Sequence, residues 1–149
     1  VSGEILWGGL KAAFGAAAVL AVVALFGLVP SWLGLLTVPL GLLAGVMFTA
    51  MALVVTGLSH SYETFNYYFT LIVAPMFLFS GIFFPLEQMP AWVQSGAQAL
   101  PLTHVVALAR GLVRGSLGLD AIVPFGATLG FTAVACVASV KLLARRLAV

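Results

Sequence analysis

The feature that most constrains this chain is a long run without charge. No Asp, Glu, Lys or Arg occurs in the 51 residues from Ala12 to Tyr62. Because about 20 residues cross the hydrocarbon core of a bilayer, this run predicts two crossings, with a break at Pro30 and Ser31, which favour a turn. Only helices and closed barrels satisfy their backbone polar groups in lipid. The apolar runs are continuous rather than alternating, so the sequence predicts helices.

Composition supports the membrane interpretation. The chain is 63% hydrophobic and 7% charged, whereas soluble domains carry about 25% charged residues. So few charges cannot cover a surface that faces water. The positive residues form no basic stripe, so we expect no nucleic-acid partner. Cys136 is the single cysteine, which excludes a disulfide or a cysteine-rich metal site within the chain.

We therefore predict an all-α, integral membrane chain that forms one transmembrane domain of four transmembrane helices. A re-entrant or interfacial helical hairpin is expected between the third and fourth. The predicted spans cover about residues 7–28, 35–58, 64–84 and 121–142, and the hairpin covers about residues 85–119.

Positive charges predict the orientation of these spans. Four spans place both ends on one side, and more Lys and Arg lie on that side than between the last two spans, so both ends are expected to be cytoplasmic. The residues on that side are Lys11, Lys141, Arg145 and Arg146, and those on the other are Arg110 and Arg114. Because the chain starts with Val1, inside an amphipathic stretch, we expect an N-terminal part to be missing.

Short helical segments follow the third span. Pro85 and Pro90 are expected to end that span, and Glu87 is costly in lipid. The segments Ala91–Leu100 and Leu102–Gly115 each fit one helix that starts at a proline, and both are too short to cross a bilayer. The chain is therefore expected to turn back into the outer leaflet before its last crossing.

Glycine and proline patterns predict how the spans are shaped. Gly41 and Gly45, like Gly126 and Gly130, form GxxxG patterns that let helices approach closely. Pro75 in the third span lacks an amide donor, so it should free a backbone carbonyl and bend the helix.

The segment Ser80–Gly115 carries an ordered set of short motifs. They read SGIFFPL at Ser80, MPAW at Met89, LPLTH at Leu100 and ARGL at Ala109. In this order they resemble the C-terminal part of type-two ABC exporter permeases. The similar branch is the one that contains nodulation protein J and the related lipo-oligosaccharide, polysaccharide and drug export permeases.

The resemblance implies a permease subunit that moves an amphipathic substrate outward. It implies six spans, of which this chain is similar to the last four, in a multi-pass protein of the bacterial inner membrane. The expected partners are an ATP-binding cassette subunit, a second copy or a related permease in a dimer, and membrane lipid. No cofactor is expected on this chain, since ATP and Mg²⁺ would be bound by the ATP-binding partner.

Candidate site residues follow from the same resemblance and from the residue types. The expected extracellular gate comprises Gly81, Pro85, Glu87, Pro90, Trp92, Pro101, His104, Arg110 and Arg114. The expected contacts to the ATPase subunit are Glu4, His60 and Glu63, and the possible substrate path contains Tyr67, Tyr68 and Phe77. Ordinary packing and interfacial belts explain the aromatic residues equally well. Solvent exposure explains His60, and a negative charge at a helix start explains Glu63.

Three interpretations of Arg110 and Arg114 stay open at this point. Their guanidinium groups can reach outward to headgroups, pair with Glu87 or Asp120, or contact an anionic lipid or substrate. His104 fits a polar contact at a helix start or a proton relay.

The sequence argues against an enzyme. It contains no GxSxG elbow and no P-loop, so a pump would take its energy from a partner. An intramembrane enzyme would have to rely on Ser80 and His104 as nucleophile and base, and the alternative to an exporter is a passive channel or a non-catalytic membrane scaffold.

Overall fold

The computed structural model describes residues 1–148, which form helices joined by turns and contain no strand. The prediction of an all-α chain is confirmed for these residues. The helices are α1 Ser2–Leu25, α2 Thr37–Leu58, α3 Tyr62–Tyr68, α4 Ala74–Phe79, α5 Ala91–Gln98, α6 Pro101–Arg114 and α7 Ile122–Leu147.

Within residues 1–148, three helices are long and apolar enough to cross a membrane, namely Ser2–Leu25, Trp32–Leu58 and Leu119–Leu147. The latter two include a short 3-10 turn at their start. The first helix ends before the predicted Leu28, because Gly27 adopts a left-handed φ of 70° that no helix can continue. The serine predicted to mark the break accepts a hydrogen bond from the Leu33 amide, 3.3 Å away, and so starts the next helix.

The predicted third span is helical but irregular. It consists of α3, a π-helical segment at Phe69–Val73 and α4. Pro75 cannot donate to a carbonyl in the preceding turn, and the backbone widens there, so that the Ala74 amide bonds the Phe69 carbonyl instead. The helix is thus disturbed beside Pro75, whereas the bend predicted there stays a prediction.

This helix ends earlier than the sequence indicated. It stops at Phe79, before the two prolines to which its end was assigned. The reason is local, since Gly81 has a φ of 86° and the Ser80 hydroxyl donates to the Phe77 carbonyl at 3.0 Å. Pro85 and Pro90 instead precede the 3-10 turn Leu86–Gln88 and helix α5.

Helix α2 lies between α1 and α7 and forms the centre of the bundle. One GxxxG pattern makes the α1–α2 contact close, because a Cβ on Gly41 would come within 2.6 Å of the Ala16 Cβ and one on Gly45 within 2.9 Å of the Gly8 carbonyl oxygen. The other pattern behaves differently, since a Cβ on Gly126 or Gly130 would meet no atom of the described residues within 4 Å.

The two short helices predicted after the third span are present as α5 and α6. Pro101 occupies the first turn of α6, and Pro90 directly precedes α5. The apolar face of α6 packs on the bundle, where Leu108 and Leu112 form a buried cluster with Leu40 of α2. Whether this pair re-enters the membrane stays a prediction, as does the number of crossings.

We expect Gly45→Leu to destabilise the protein by about 1–3 kcal/mol, because overpacking forces α1 away from α2. Thermal unfolding in detergent measures the change. Gly130→Leu is the matched control, since a Cβ added there meets open space in the structure. Equal losses of stability in the two variants would contradict the assignment of the α1–α2 contact to Gly45.

Candidate functional site

The turn that follows α4 is fixed by small residues. Ser80 is buried, with 1% of its surface exposed, and its hydroxyl is occupied by the Phe77 carbonyl. The left-handed φ of Gly81 favours glycine there, and a Cβ at this position would lie 3.3 Å from the Leu86 Cγ. The resemblance pointed to Gly81, and its backbone conformation gives the physical reason for a glycine.

Arg110 ties helix α6 to this turn. Its Nη2 donates to the carbonyl oxygens of Gly81 and Ile82, the latter at 3.5 Å. These carbonyls follow the end of α4, so no helical amide reaches them. The partners found for Arg110 among the described residues are these carbonyls, rather than the predicted Glu87 or Asp120.

His104 holds the turn between α5 and α6. Its Nε2 lies 2.7 Å from the Gln98 carbonyl oxygen. A carbonyl only accepts, so Nε2 must carry the proton in this bond. The imidazole also stacks on Phe131 of α7, with ring centroids 6.3 Å apart. These contacts agree with the prediction of a polar contact at a helix start.

Ser80 and His104 do not form a catalytic pair in this geometry. The hydroxyl donates to the Phe77 carbonyl and the imidazole to the Gln98 carbonyl. A nucleophile and its base must instead hydrogen-bond each other.

A cavity of about 530 Å³ lies between the turn after α4 and helix α6. It brings together several of the predicted gate residues and adds Thr103 and Ser116. The predicted residues that line it are Pro85, Glu87, Arg110 and Arg114. Gly81 contributes through its carbonyl, which holds Arg110 in place.

The other gate residues lie elsewhere. Trp92 borders a separate apolar cavity beside Pro75 and is 78% exposed. Pro90, Pro101 and His104 shape the ends of α5 and α6. The motifs therefore supply two different features, namely a charged cavity and a helical turn.

Sequence reasoning missed Thr103, although it lies in the LPLTH motif. Thr103 is buried, with 6% of its surface exposed, and its hydroxyl has no hydrogen-bond partner among the described residues. Its position between two motif residues was the available signal, but only the fold shows that it is buried beside a cavity.

The predicted ATPase contacts gather at the opposite end of the bundle. Glu4 starts α1, and His60 and Glu63 lie at the connection between α2 and α3. The antiparallel contact of α1 with α2, where Gly8 meets Thr49, places these ends together. Arg146 of α7 reaches the same end and donates to the Ser59 carbonyl at 3.2 Å.

The proposed path residues lie on a helix that is little covered by the rest of the chain. Between Tyr62 and Phe79, Met76 is the one buried residue. Tyr67 is 65% exposed and Phe77 45% exposed, while Tyr68 is half-buried. This placement leaves open both an interfacial belt and a contact surface for a substrate.

Within residues 1–148, no group of three or more His, Cys, Asp or Glu side chains is arranged to hold a metal ion.

Comparison with known proteins decides the family. The model of the ABC-2 type transporter family matches residues 1–113. This chain belongs to that family. Its apolar helices and this membership make it a multi-pass membrane protein.

Similar curated proteins carry one name. The chain is 36% identical over 148 residues to nodulation protein J of Rhizobium leguminosarum bv. trifolii and 35% identical to that of Rhizobium meliloti (strain 1021). In both cases the match covers 99% of this chain and 56% of the relative, so the chain spans about half the length of the curated relatives it matches. No solved structure matches the chain. The resemblance inferred from the motifs is confirmed at the level of the family.

In this ABC-2 family chain, Arg110→Ala should loosen the turn after α4, because the Gly81 and Ile82 carbonyls lose their donor. We expect faster amide hydrogen exchange in residues 81–88, measured by mass spectrometry. Arg114→Ala removes the same charge one helical turn away and has no such bond in the described residues, so exchange there should stay unchanged. Unaltered exchange in the Arg110 variant would refute the role of this contact.

Proposed function

We propose that this chain belongs to the transmembrane permease subunit of an ABC exporter that moves an amphipathic substrate outward. The observation that carries the proposal is the match of the ABC-2 type transporter model to residues 1–113. The relatives named nodulation protein J support it over 148 residues. Lipo-oligosaccharides, polysaccharides and drugs are the substrate classes that we consider, since apolar helices suit any molecule with a lipid-like part.

We further propose that the chain crosses the membrane four times. The segment from Tyr62 to Phe79 has helical backbone throughout, and its 18 residues are about 27 Å long at 1.5 Å per residue. Its aromatic side chains and its exposed apolar side chains suit contact with lipid. Helices α5 and α6, of eight and 14 residues, are too short to cross and would form the re-entrant or interfacial hairpin.

In this proposal the energy comes from a separate ATP-binding cassette subunit. The chain contains no P-loop sequence. Force would enter at the end that carries Glu4, His60 and Glu63, which we place in the cytoplasm of the bacterial cell together with both chain ends. Two such permeases, identical or related, would assemble and open a path between them.

The gate would lie at the other end. Arg110 joins α6 to the turn after α4, so a tilt of α4 would pull the hairpin with it. Movement driven at one end of the helices would thus reach the charged cavity at the opposite end.

The first experiment tests the partner. The protein at its full natural length is purified from native membranes in mild detergent, and a co-purifying P-loop ATPase is assayed. We expect a stoichiometric ATPase, reduced at least tenfold by Glu63→Lys because the charge at the coupling end is reversed. Glu87→Lys, the same change at the opposite end, is the control. A preparation free of ATPase in gentle lipid discs would favour the channel or scaffold instead.

The second experiment tests the gate. We expect Arg110→Ala to lower export of labelled lipo-oligosaccharide into the medium while the permease dimer still forms. Crosslinking of the dimer measures assembly independently of export. Normal export by this variant would remove Arg110 from the mechanism, whereas loss of the dimer would assign it a purely structural role.

A further inference from the structure

The cavity beside α6 is lined by more positive than negative side chains, and some of their hydrogen-bond donors are unused. Three charged side chains line it, Glu87, Arg110 and Arg114, and their formal charges sum to one positive charge. Arg110 uses only its Nη2 for the Gly81 and Ile82 carbonyls. A guanidinium has five N–H donors, so several remain for a ligand.

Thr103 is the second and independent observation. Thr103 lines the cavity, and its buried hydroxyl has no partner within residues 1–148. Such a group costs stability unless something in the site bonds it. The other buried hydroxyl of the wall, that of Ser80, already donates to the Phe77 carbonyl. The residues that line the cavity thus include a hydroxyl without a partner and two guanidinium groups.

This combination favours a phosphate group. Guanidinium groups bind phosphate in a bidentate manner, and a phosphate offers further oxygens to a hydroxyl at the same time. A phosphodiester carries one negative charge, which would balance the net charge of the lining. The cavity lies where α4 ends and α6 packs against the bundle, at an end of the helices where long basic side chains reach lipid headgroups.

From these observations we infer that the cavity binds a phosphate group of net negative charge, through Arg110, Arg114 and Thr103. The phosphate can come from the headgroup of an anionic lipid or from phosphate in solution, since the recognised chemistry is the same. This site goes beyond the proposed export activity and does not depend on it, because binding needs neither ATP nor a partner subunit.

The test measures lipid retention on the full-length protein. The protein is exchanged into discs of phosphatidylcholine that contain phosphatidylglycerol, and bound lipid is counted by native mass spectrometry. We expect Arg114→Gln to weaken phosphatidylglycerol binding about tenfold, as expected for the loss of one charged, bidentate contact. Arg145→Gln, which removes the same charge at the opposite end of the bundle, should leave binding within about twofold of the unaltered protein.

A second variant separates binding from folding. Thr103→Val keeps the shape of the side chain and removes only the unpaired hydroxyl, so the melting temperature should not fall. We expect it to weaken phosphatidylglycerol binding about threefold. Unchanged binding in both Thr103→Val and Arg114→Gln, or equal losses in Arg114→Gln and Arg145→Gln, would overturn the proposal.

Added inorganic phosphate distinguishes the two sources. Displacement of phosphatidylglycerol from the unaltered protein, absent in Arg114→Gln, would show that free phosphate fills the same site. Retention of the lipid under these conditions, with the Arg114→Gln loss intact, would assign the site to headgroups. Both results support a phosphate site, and export assays are not involved, so failure here would leave the proposed function standing.

Discussion

The constraint on which this structure depends is that a chain with so few charges must satisfy its backbone internally. Lipid offers no hydrogen bonds, so each carbonyl that a helix releases needs another donor. Most of residues 1–148 are helical, so their backbone amides and carbonyls bond each other within a helix. At two exceptions, a particular residue determines how the backbone is hydrogen-bonded. At Pro75 the backbone hydrogen bonds of the helix shift to a π-helical pattern. The turn at Gly81 leaves backbone carbonyls free, and Arg110 of α6 donates to them.

Close packing of α1 on α2 supplies the rigid part of the molecule. Glycines at the interface remove side chains where the backbones approach, and van der Waals contact replaces the hydrophobic effect that lipid cannot provide. The helix from Tyr62 to Phe79 differs, because it is irregular and little covered by the rest of the chain. The two parts of the described chain therefore differ in how closely their helices approach a neighbour.

The candidate polar and charged residues lie at the two ends of the bundle. Glu4, His60 and Glu63 lie at one end, whereas Glu87, Arg110 and Arg114 lie around a cavity at the other. Arg110 serves both the backbone and the cavity, so the architecture of the turn and the electrostatics of the site are linked through one side chain. The proposed contacts to the ATPase subunit and the proposed gate thus lie at opposite ends of the bundle.

Local patterns determined much of this protein. Charge-free runs determined the helical class, and the ordered motifs around Ser80–Gly115 determined the family, because both depend on neighbours in sequence. Tertiary structure decided the rest. Of the two GxxxG patterns, only the one at Gly41 and Gly45 lies at a close helix contact within the described residues, and α4 ends at Phe79. Arg110 bonds backbone carbonyls instead of carboxylates, and the Thr103 hydroxyl is buried. Each of these depends on which helices meet, and contacts between residues far apart in the chain leave no periodic trace in its sequence.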